Sequence, residues 1–204
     1  MTASGSDQGT GALWLNGAGS GDDYDAVFAA RAAAGEDVHG EAAFVRRYGP
    51  RSVLDAGCGT GRVARELARH DVDVVGVDRD PVMLATAARQ APHLDWRLDD
   101  ISGVDLGRAF DVVLLAGNVM IFLAPGTEGT VVANMARHLA PDGRLIAGFE
   151  LSYALTLDQY DVLAAAAGLC LVERYATWAR DPWTPDGDYA VSVHRHAAPT
   201  RRHP

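Results

Sequence analysis

The stretch from residue 53 to residue 62 reads Val53-Leu54-Asp55-Ala56-Gly57-Cys58-Gly59-Thr60-Gly61-Arg62 and decides the fold. It joins a predicted buried strand, 52–56, to a predicted helix that begins at Arg62. Three glycines at alternate positions let the backbone turn sharply there and lie directly against a ligand. The amino terminus of the helix adds unpaired N–H groups, which favour a carboxylate or phosphate. The stretch therefore predicts a strand, a ligand-binding turn and a helix.

The spacing of these glycines distinguishes two classes of ligand. A dinucleotide-binding turn has the pattern Gly-x-Gly-x-x-Gly, whereas here the third glycine comes one position early and Arg62 stands where that pattern requires glycine. Asp55 places a carboxylate near the turn, which would repel a pyrophosphate but can hold an ammonium group directly or through water. An NAD(P)-dependent oxidoreductase is therefore disfavoured, although it stays an alternative.

Short aliphatic runs alternate with helical stretches on both sides of the turn. The predicted strands are 52–56, 72–77, 94–98, 110–116, 144–149, 169–178 and 188–196, with Pro141-Asp142-Gly143 as a turn before the fifth. The predicted helices are 22–34, 38–48, 62–70, 81–90, 129–139 and 157–167. Residues 180–187 are turn formers, so the last two strands are predicted to be an antiparallel pair. The fold class is α/β: a Rossmann-like three-layer sandwich with a mostly parallel seven-stranded sheet, an antiparallel C-terminal strand pair and N-terminal cap helices.

Composition and charge narrow the class of partner. The 204 residues include 27 Asp plus Glu against 18 Lys plus Arg, and a net charge of -9 repels a phosphate backbone, so no nucleic-acid partner is expected. No apolar run approaches the roughly 20 residues of a membrane span. Two cysteines are too few for a disulfide framework, and a cytoplasmic protein is expected. One domain, 22–196, is predicted between flexible segments 1–21 and 197–204.

The turn and the segments after it resemble those of one known family. Asp55, Gly57, Gly59 and Gly61 match motif I of the class I, Rossmann-like S-adenosylmethionine-dependent methyltransferases, whose pattern is Asp/Glu-x-Gly-x-Gly-x-Gly. Further family segments follow in order, and the resemblance spans roughly residues 38 to 195. It implies that the chain binds S-adenosyl-L-methionine as cofactor and passes the methyl group to an acceptor. A non-catalytic protein that binds this cofactor or its demethylated product stays an alternative.

The resemblance also implies a set of cofactor-binding residues. An acid about 20 residues past the glycines accepts hydrogen bonds from ribose hydroxyls, and Asp78 has that position. Arg79 and Met83 correspond to residues that pack on the adenine, and the segment Asp99-Asp100-Ile101 to residues at its edge. The full predicted set is Tyr24, Asp55, Ala56, Gly57, Cys58, Gly59, Asp78, Arg79, Met83, Asp99, Asp100, Ile101, Gly117 and Asn118.

No catalytic residue and no metal site are assigned. Methyl transfer from a sulfonium needs alignment of the acceptor and exclusion of water more than side-chain chemistry. Tyr24 and Asn118 are candidates for orienting groups near the methyl, with a core-facing pair of Tyr24 and Phe28 as the alternative. His194 and His196 share one face of a strand, which is interpreted as a solvated edge because no third ligand is evident. The acceptor is expected to be a small molecule, and the sequence does not indicate an oligomeric state.

Overall fold

One sheet of seven strands forms the centre of the molecule in residues 20–153 and 155–198, which the computed structural model describes. Its strands are β1 (Ser52–Ala56), β2 (Asp73–Asp78), β3 (Asp95–Leu98), β4 (Phe110–Leu115), β5 (Leu139–Glu150), β6 (Leu169–Tyr175) and β7 (Tyr189–His196). They lie in the order β3-β2-β1-β4-β5-β7-β6. β7 is antiparallel to both neighbours, and the other pairs are parallel. The predicted fold class is confirmed.

Six helices accompany this sheet within the described residues. They are α1 (Gly21–Ala33), α2 (Gly40–Arg46), α3 (Arg62–Ala68), α4 (Pro81–Gln90), α5 (Glu128–Arg137) and α6 (Leu157–Ala166), with a short 3₁₀ turn at Val119–Ile121. The sharpest starts carry side-chain caps: Ser20 and Asp23 form a capping box on α1, and Asp80 caps α4 ahead of Pro81. None of these helices is long and apolar enough to cross a membrane.

Two apolar cores, one on each face, hold the helices to the sheet. Val53 belongs to the core that also contains residues of α2 and α3, whereas Leu54, the next residue, belongs to the core with α5 and α6. This alternation follows from the two-residue period of a strand. β1 is therefore buried on both faces, and the turn that follows it starts from a rigid element.

The sheet also fixes which edge of the molecule each strand reaches. β7 begins at Tyr189, which pairs with Glu150 at the end of β5, and it passes His194, which pairs with Leu145 near the beginning of the regular part of β5. The start of β7 therefore lies at the carboxyl edge of the parallel strands, and its end lies at the opposite, amino edge.

Most elements differ from the sequence prediction at one or both ends, and the largest shifts are at the start of β5 and the end of β6. β5 begins at Leu139 rather than at residue 144, because Phe110 pairs with Leu139 and Val112 with Arg144 while residues 140–143 bulge between them. β6 ends at Tyr175 rather than at residue 178, because the Ala176 amide donates to the carbonyl of Asp181 and turns the chain. Gly21 begins α1 after the Ser20 cap, and the Ala197 amide donates to the carbonyl of Gly168 at 2.9 Å, although the sequence places these residues in flexible segments. The rest of the two segments, residues 1–19 and 199–204, lies outside the described residues.

Candidate active site

The glycine turn connects β1 to α3 at the carboxyl edge of the sheet. Gly57, Gly59 and Gly61 all have left-handed backbone, with φ of 80°, 56° and 73°. A Cβ on Gly61 would lie 2.2 Å from the Trp96 ring, so a side chain is excluded there. A Cβ on Gly59 would meet nothing within 4 Å, so this backbone faces open space. A Cβ on Gly57 would lie 2.5 Å from the Val119 side chain, so the turn is packed at both ends and open at Gly59 in its middle.

A cavity of about 530 Å³ opens above this turn, at the carboxyl ends of β1, β2, β3 and β4. Twelve of the fourteen predicted residues line it, namely Tyr24, Asp55, Gly57, Cys58, Gly59, Asp78, Arg79, Met83, Asp99, Asp100, Ile101 and Gly117. Ala56 is fully buried beneath the turn and does not line the cavity. The fold therefore gathers predicted residues that lie up to 93 positions apart in the sequence, from Tyr24 to Gly117, around one cavity.

Asn118, the other predicted residue that does not line the cavity, is held by β5. Its Oδ1 accepts from the Glu150 amide at 3.0 Å, and its Nδ2 donates to the Glu150 carboxylate at 3.3 Å. It is buried in left-handed backbone with φ 68°. The Asn118 side chain thus fixes the chain path after β4 and does not line the cavity, and an orienting role near the methyl stays a prediction.

Asp78 ends β2 and faces the turn. Its Oδ2 accepts from the Gly59 amide at 2.7 Å, and its Oδ1 accepts from the Asp80 amide at 2.9 Å. Burial raises the pKa of Asp78 above the ordinary value, against the effect of these hydrogen bonds. A carboxylate has about four acceptor positions, so both oxygens keep capacity for donors from the cavity. Neighbouring hydroxyl groups, such as those of a ribose, fit this arrangement.

Asp55 is a buried carboxyl group with an unpartnered atom. It is only 3% exposed, and within the described residues its Oδ2 has no hydrogen-bond partner. Burial raises the pKa of Asp55 to about 7, and Arg62 acts in the opposite direction. Asp55 lines the cavity, so a cation bound there would favour the ionised carboxylate.

Arg62 is a wall residue that the sequence analysis missed. Its guanidinium donates to both carboxylate oxygens of Glu41, at 2.5 and 3.0 Å, and to the carbonyl of Val38. The guanidinium carbon also lies 4.2 Å from the centroid of the Phe28 ring. The side chain is 9% exposed; burial lowers the pKa of Arg62, but the Glu41 carboxylate more than offsets this and holds the pKa above its usual value. The signal available in the sequence was a charged residue directly after the third glycine.

The far end of the cavity, beyond Asp78, combines apolar and acidic groups. Met83 and Ile101 are buried and give apolar surface suited to a flat ring. Asp100 accepts from the Ser102 amide at 2.8 Å, and hydrogen bonds from Ser102 lower its pKa. Asp99 donates its amide to the carbonyl of Asp78 at 3.1 Å, which continues the β2–β3 pairing. These features fit a purine with polar edges.

A second wall segment missed from the sequence follows β4. It comprises Val119, Ile121, Phe122, Leu123, Ala124 and Thr127, all on the cavity. The apolar run was visible in the sequence, but its orientation depends on the Asn118–Glu150 contact between distant residues. Val63, Ser102 and Ala116 also line the cavity without having been predicted.

Tyr24 is predicted to lie near the methyl group, with a core-facing pair of Tyr24 and Phe28 as the alternative, and the structure places the two rings differently. Their ring centroids lie 5.0 Å apart, Tyr24 lines the cavity, and Phe28 is buried beneath Arg62. The Tyr24 ring therefore lies on the cavity wall, and the Phe28 ring lies in the core.

Burial raises the pKa of the Cys58 thiol well above its usual value. This fits a small residue of the turn rather than a nucleophile.

The strand histidines differ from the expected solvated edge. His194 is 1% exposed, with its ring 5.3 Å from that of Tyr160, and only His196 is partly exposed. Within the described residues no group of three or more His, Cys, Asp or Glu could hold a metal ion.

Comparison with known proteins agrees with this geometry. A family model described as a methyltransferase domain matches residues 53–143. The crystal structure of a TehB-like SAM-dependent methyltransferase from Corynebacterium glutamicum is 32% identical with a TM-score of 0.81, and the match covers 87% of this chain and 98% of that one. The chain belongs to the S-adenosylmethionine-dependent methyltransferases. The fold, the cofactor and the methyltransferase class predicted from the sequence are confirmed.

Curated relatives of this methyltransferase include two enzymes named as amino-sugar N,N-dimethyltransferases. The dTDP-4-amino-2,3,4,6-tetradeoxy-D-glucose N,N-dimethyltransferase of Saccharopolyspora spinosa is 35% identical over 130 residues, which cover 60% of this chain and 51% of that protein. The dTDP-3-amino-3,6-dideoxy-alpha-D-glucopyranose N,N-dimethyltransferase of Streptomyces fradiae is also 35% identical over 130 residues, 60% and 50% of the two chains. The chain matches about half the length of these relatives.

Proposed function

We propose that this methyltransferase binds S-adenosylmethionine in the cavity above the glycine turn and transfers its methyl group to an amine of a small molecule, with amino sugars as the first class of acceptor. The observation that carries the proposal is convergence on one cavity: Gly59 with its open backbone, Asp78 and the buried acid Asp55 all line it. Gly59 would contact the cofactor through its backbone, Asp78 would bind the ribose, and Asp55 would bind the ammonium group.

The two ends of the cavity would bind different parts of the cofactor. Asp78 would accept from the ribose hydroxyls, while Met83 and Ile101 would contact the adenine faces. Asp55 would receive the ammonium group of the amino acid part. When bound, S-adenosylmethionine supplies a methyl group on a positively charged sulfur, which is an activated leaving group.

The chain's own contribution to the reaction is positioning and exclusion of water. The apolar segment at residues 119–124 covers one side of the cavity, and Tyr24 of α1 lies on its wall. α1 is fixed over the site by Asp25, which accepts from the Thr60 hydroxyl at 2.6 Å and lies 3.6 Å from Arg65. Holding an acceptor in line with the methyl group supplies the main rate gain, and a neutral amine needs no base to attack.

The charge of the cavity wall is compatible with an amine acceptor, and the relatives supply the acceptor class. The cavity wall carries four aspartates, Asp55, Asp78, Asp99 and Asp100, against two arginines, Arg62 and Arg79. The field of such a wall favours neutral or cationic ligands over anions. The names of the curated relatives supply the amino-sugar class.

Calorimetry followed by a transfer assay tests the proposal. We expect heat of binding with S-adenosylmethionine and with its demethylated product, and none with NADH or NADPH. Methyl transfer from labelled cofactor should then be measured on amino sugars and on the matching sugars that carry hydroxyl in place of the amine. Label in the amino sugars alone supports the proposal. Label in the hydroxyl sugars overturns the acceptor class, and binding without transfer to any member of a wide acceptor panel favours a non-catalytic binding protein.

A further inference from the structure

The wall of the cavity divides into a charged part and an apolar part. The charged residues, four aspartates and two arginines, lie at the carboxyl ends of β1, β2 and β3 and at the start of α3. The apolar segment after β4 instead contributes Val119, Ile121, Phe122, Leu123 and Ala124. The proposed function places the cofactor against acids of the charged part, so the apolar segment is left to face the acceptor.

The apolar segment is held in place from behind. Met120 is buried in the core, and Val119, Ile121 and Leu123 pack against the same core while they also line the cavity. Val119 packs against the glycine turn as well, since a Cβ on Gly57 would lie 2.5 Å from its side chain. The segment therefore presents a fixed apolar surface directly beside the turn.

This surface offers little to a hydroxylated ligand. Of the residues between 119 and 127 that line the cavity, Thr127 has a polar side chain, and its hydroxyl donates to the carbonyl of Ala124 at 2.6 Å. A sugar hydroxyl placed against the segment would lose water without gaining a partner from the apolar side chains, which costs free energy. An apolar body avoids that cost and gains from burial.

The same side of the cavity also lacks cations for a phosphate. Residues 109–136 contain no Lys, Arg or His. On the wall, Arg62 is bound to the Glu41 carboxylate, and the exposed Arg79 follows β2, on the other side of β1 from β4. The amino terminus of α5 adjoins the segment, but Glu128 in its first turn places a negative charge there. A diphosphate would therefore meet no cationic side chain beside β4.

We propose that the apolar segment selects an acceptor amine carried by an apolar, deoxygenated body without a phosphate group. This inference rests on the proposed function and deepens it, because it narrows the class of amino sugars and excludes the dTDP group in the names of the relatives. Phe122 is a specificity-determining residue in this assignment, since it lines the cavity and is partly exposed.

Three amines test the assignment on the unaltered protein. The methyl glycoside of 4-amino-2,3,4,6-tetradeoxyglucose has an apolar ring, the methyl glycoside of 4-amino-4-deoxyglucose keeps its hydroxyls, and dTDP-4-amino-2,3,4,6-tetradeoxyglucose adds the phosphates. Calorimetry on protein saturated with the demethylated cofactor measures their affinity, and labelled S-adenosylmethionine measures kcat/KM. We expect the apolar amine to bind at least about 10-fold more tightly than either of the others, with kcat/KM in the same order.

Two results of these measurements would overturn the assignment. One is equal affinity for the two methyl glycosides, and the other is tighter binding of the dTDP-linked amine than of the free apolar amine. Methyl transfer to no amine of a wide panel would instead overturn the proposed function, and this assignment with it.

The substitution Phe122→Asn places an amide on the apolar segment. Because the amide gives the sugar hydroxyls a partner, we expect the preference for the apolar over the hydroxylated glycoside to shrink by about three- to tenfold. If this variant does not fold, Ala124→Asn places the same group at an exposed position of the segment, and a change in the same direction is expected. A native preference in the folded variant would show that the acceptor body lies elsewhere, and the assignment would fall.

Val162→Asn is the matched control. Val162 is an apolar residue of α6 that is 68% exposed and does not line the cavity. Its substitution should leave the preference between the two glycosides at its native size. A reduced preference in Val162→Asn would mean that any polar substitution on the surface has this effect, which would contradict the part given to Phe122.

Discussion

Two of the regions in which the described residues contain buried polar atoms without hydrogen-bond partners differ in what surrounds those atoms. At the carboxyl edge of the sheet, Asp55 and Arg62 border a cavity. Nearer the amino edge, Nδ1 of His194 and the hydroxyl of Tyr160 are equally buried, but their rings pack edge to face at 5.3 Å and neither residue lines the cavity. An unsatisfied polar atom thus marks a ligand site only where space adjoins it, and otherwise belongs to the packing of the core.

The largest expected effect is a loss of stability when a side chain is added to the packed part of the glycine turn, in the cavity region. In Gly61→Ala the new Cβ would overlap the Trp96 ring, and the alanine would have to keep the left-handed backbone of the glycine. We therefore expect a loss of about 2–5 kcal/mol in the free energy of unfolding. Urea denaturation measures it. Gly107→Ala is the control, because Gly107 is also left-handed at φ 62° but a Cβ there meets nothing within 4 Å. Equal losses in the two variants would refute the packing argument.

The next effect concerns the packed region alone. Burial lowers the pKa of His194 from 6.5 to about 4, with Asp161 acting upward and Arg174 downward. The unfolded chain therefore binds a proton between these pH values that the folded chain does not, so stability from this group is present above pH 6.5 and is lost as the pH falls toward 4. The loss should reach about 3 kcal/mol.

Denaturation of the native protein and of His194→Gln at several pH values measures this loss. The difference in stability between the two proteins should narrow as the pH falls from 6.5 toward 4. A pH-independent difference for His194→Gln would contradict the argument.

The third expected effect is a loss of cofactor affinity when the charge of Asp78 on the cavity wall is removed. Asp78→Asn removes the charge that we propose for the ribose, and affinity for S-adenosylmethionine should fall by about 10- to 100-fold, or about 1.5–3 kcal/mol. Asp73→Asn is the control at the other end of β2, where the exposed Asp73 bonds to Arg108 at 2.6 Å. Calorimetry should find native affinity in the control. Native affinity in both variants would remove Asp78 from the site.

The smallest effect tests whether Asp55 faces a cation in the complex. The pKa of Asp55 is raised to about 7 in the free protein, so the carboxyl must lose its proton before it can hold an ammonium group. Affinity for S-adenosylmethionine should therefore fall by at most tenfold, about 1.4 kcal/mol, for each pH unit below 7. Asp55→Asn should flatten this dependence. If the affinity of the native protein for S-adenosylmethionine does not change between pH 5.5 and 7, Asp55 does not face a cation and does not differ from the packed region in this respect.

The sequence was sufficient for the elements that carry their own boundary signals. β1 and α4 are confirmed to the residue, because a turn of glycines ends the former and an Asp80 cap with Pro81 begins the latter. Asp78 and the glycine turn could be located for a related reason: their spacing along the chain is itself dictated by a strand, a turn and a helix.

The missed features depend on contacts between distant parts of the chain. Arg62 joins the wall because Glu41 and Phe28 hold it, and neither partner is marked in the sequence as its neighbour. The Asn118 side chain joins Glu150, 32 residues away, for the same reason. The Pro141-Asp142-Gly143 stretch has the composition of a turn, but pairing with β4 on either side keeps it inside a strand.

The reversed direction of β7 has a practical consequence. β7 begins beside Glu150 at the carboxyl edge of the sheet, where the cavity opens, and it ends beyond His194 at the amino edge. An affinity handle or surface linker joined after residue 198 is therefore anchored on the side facing away from the ligand. Protein immobilised through its C-terminal side should present the mouth of the cavity to solution, which suits surface-based measurements of cofactor and acceptor binding.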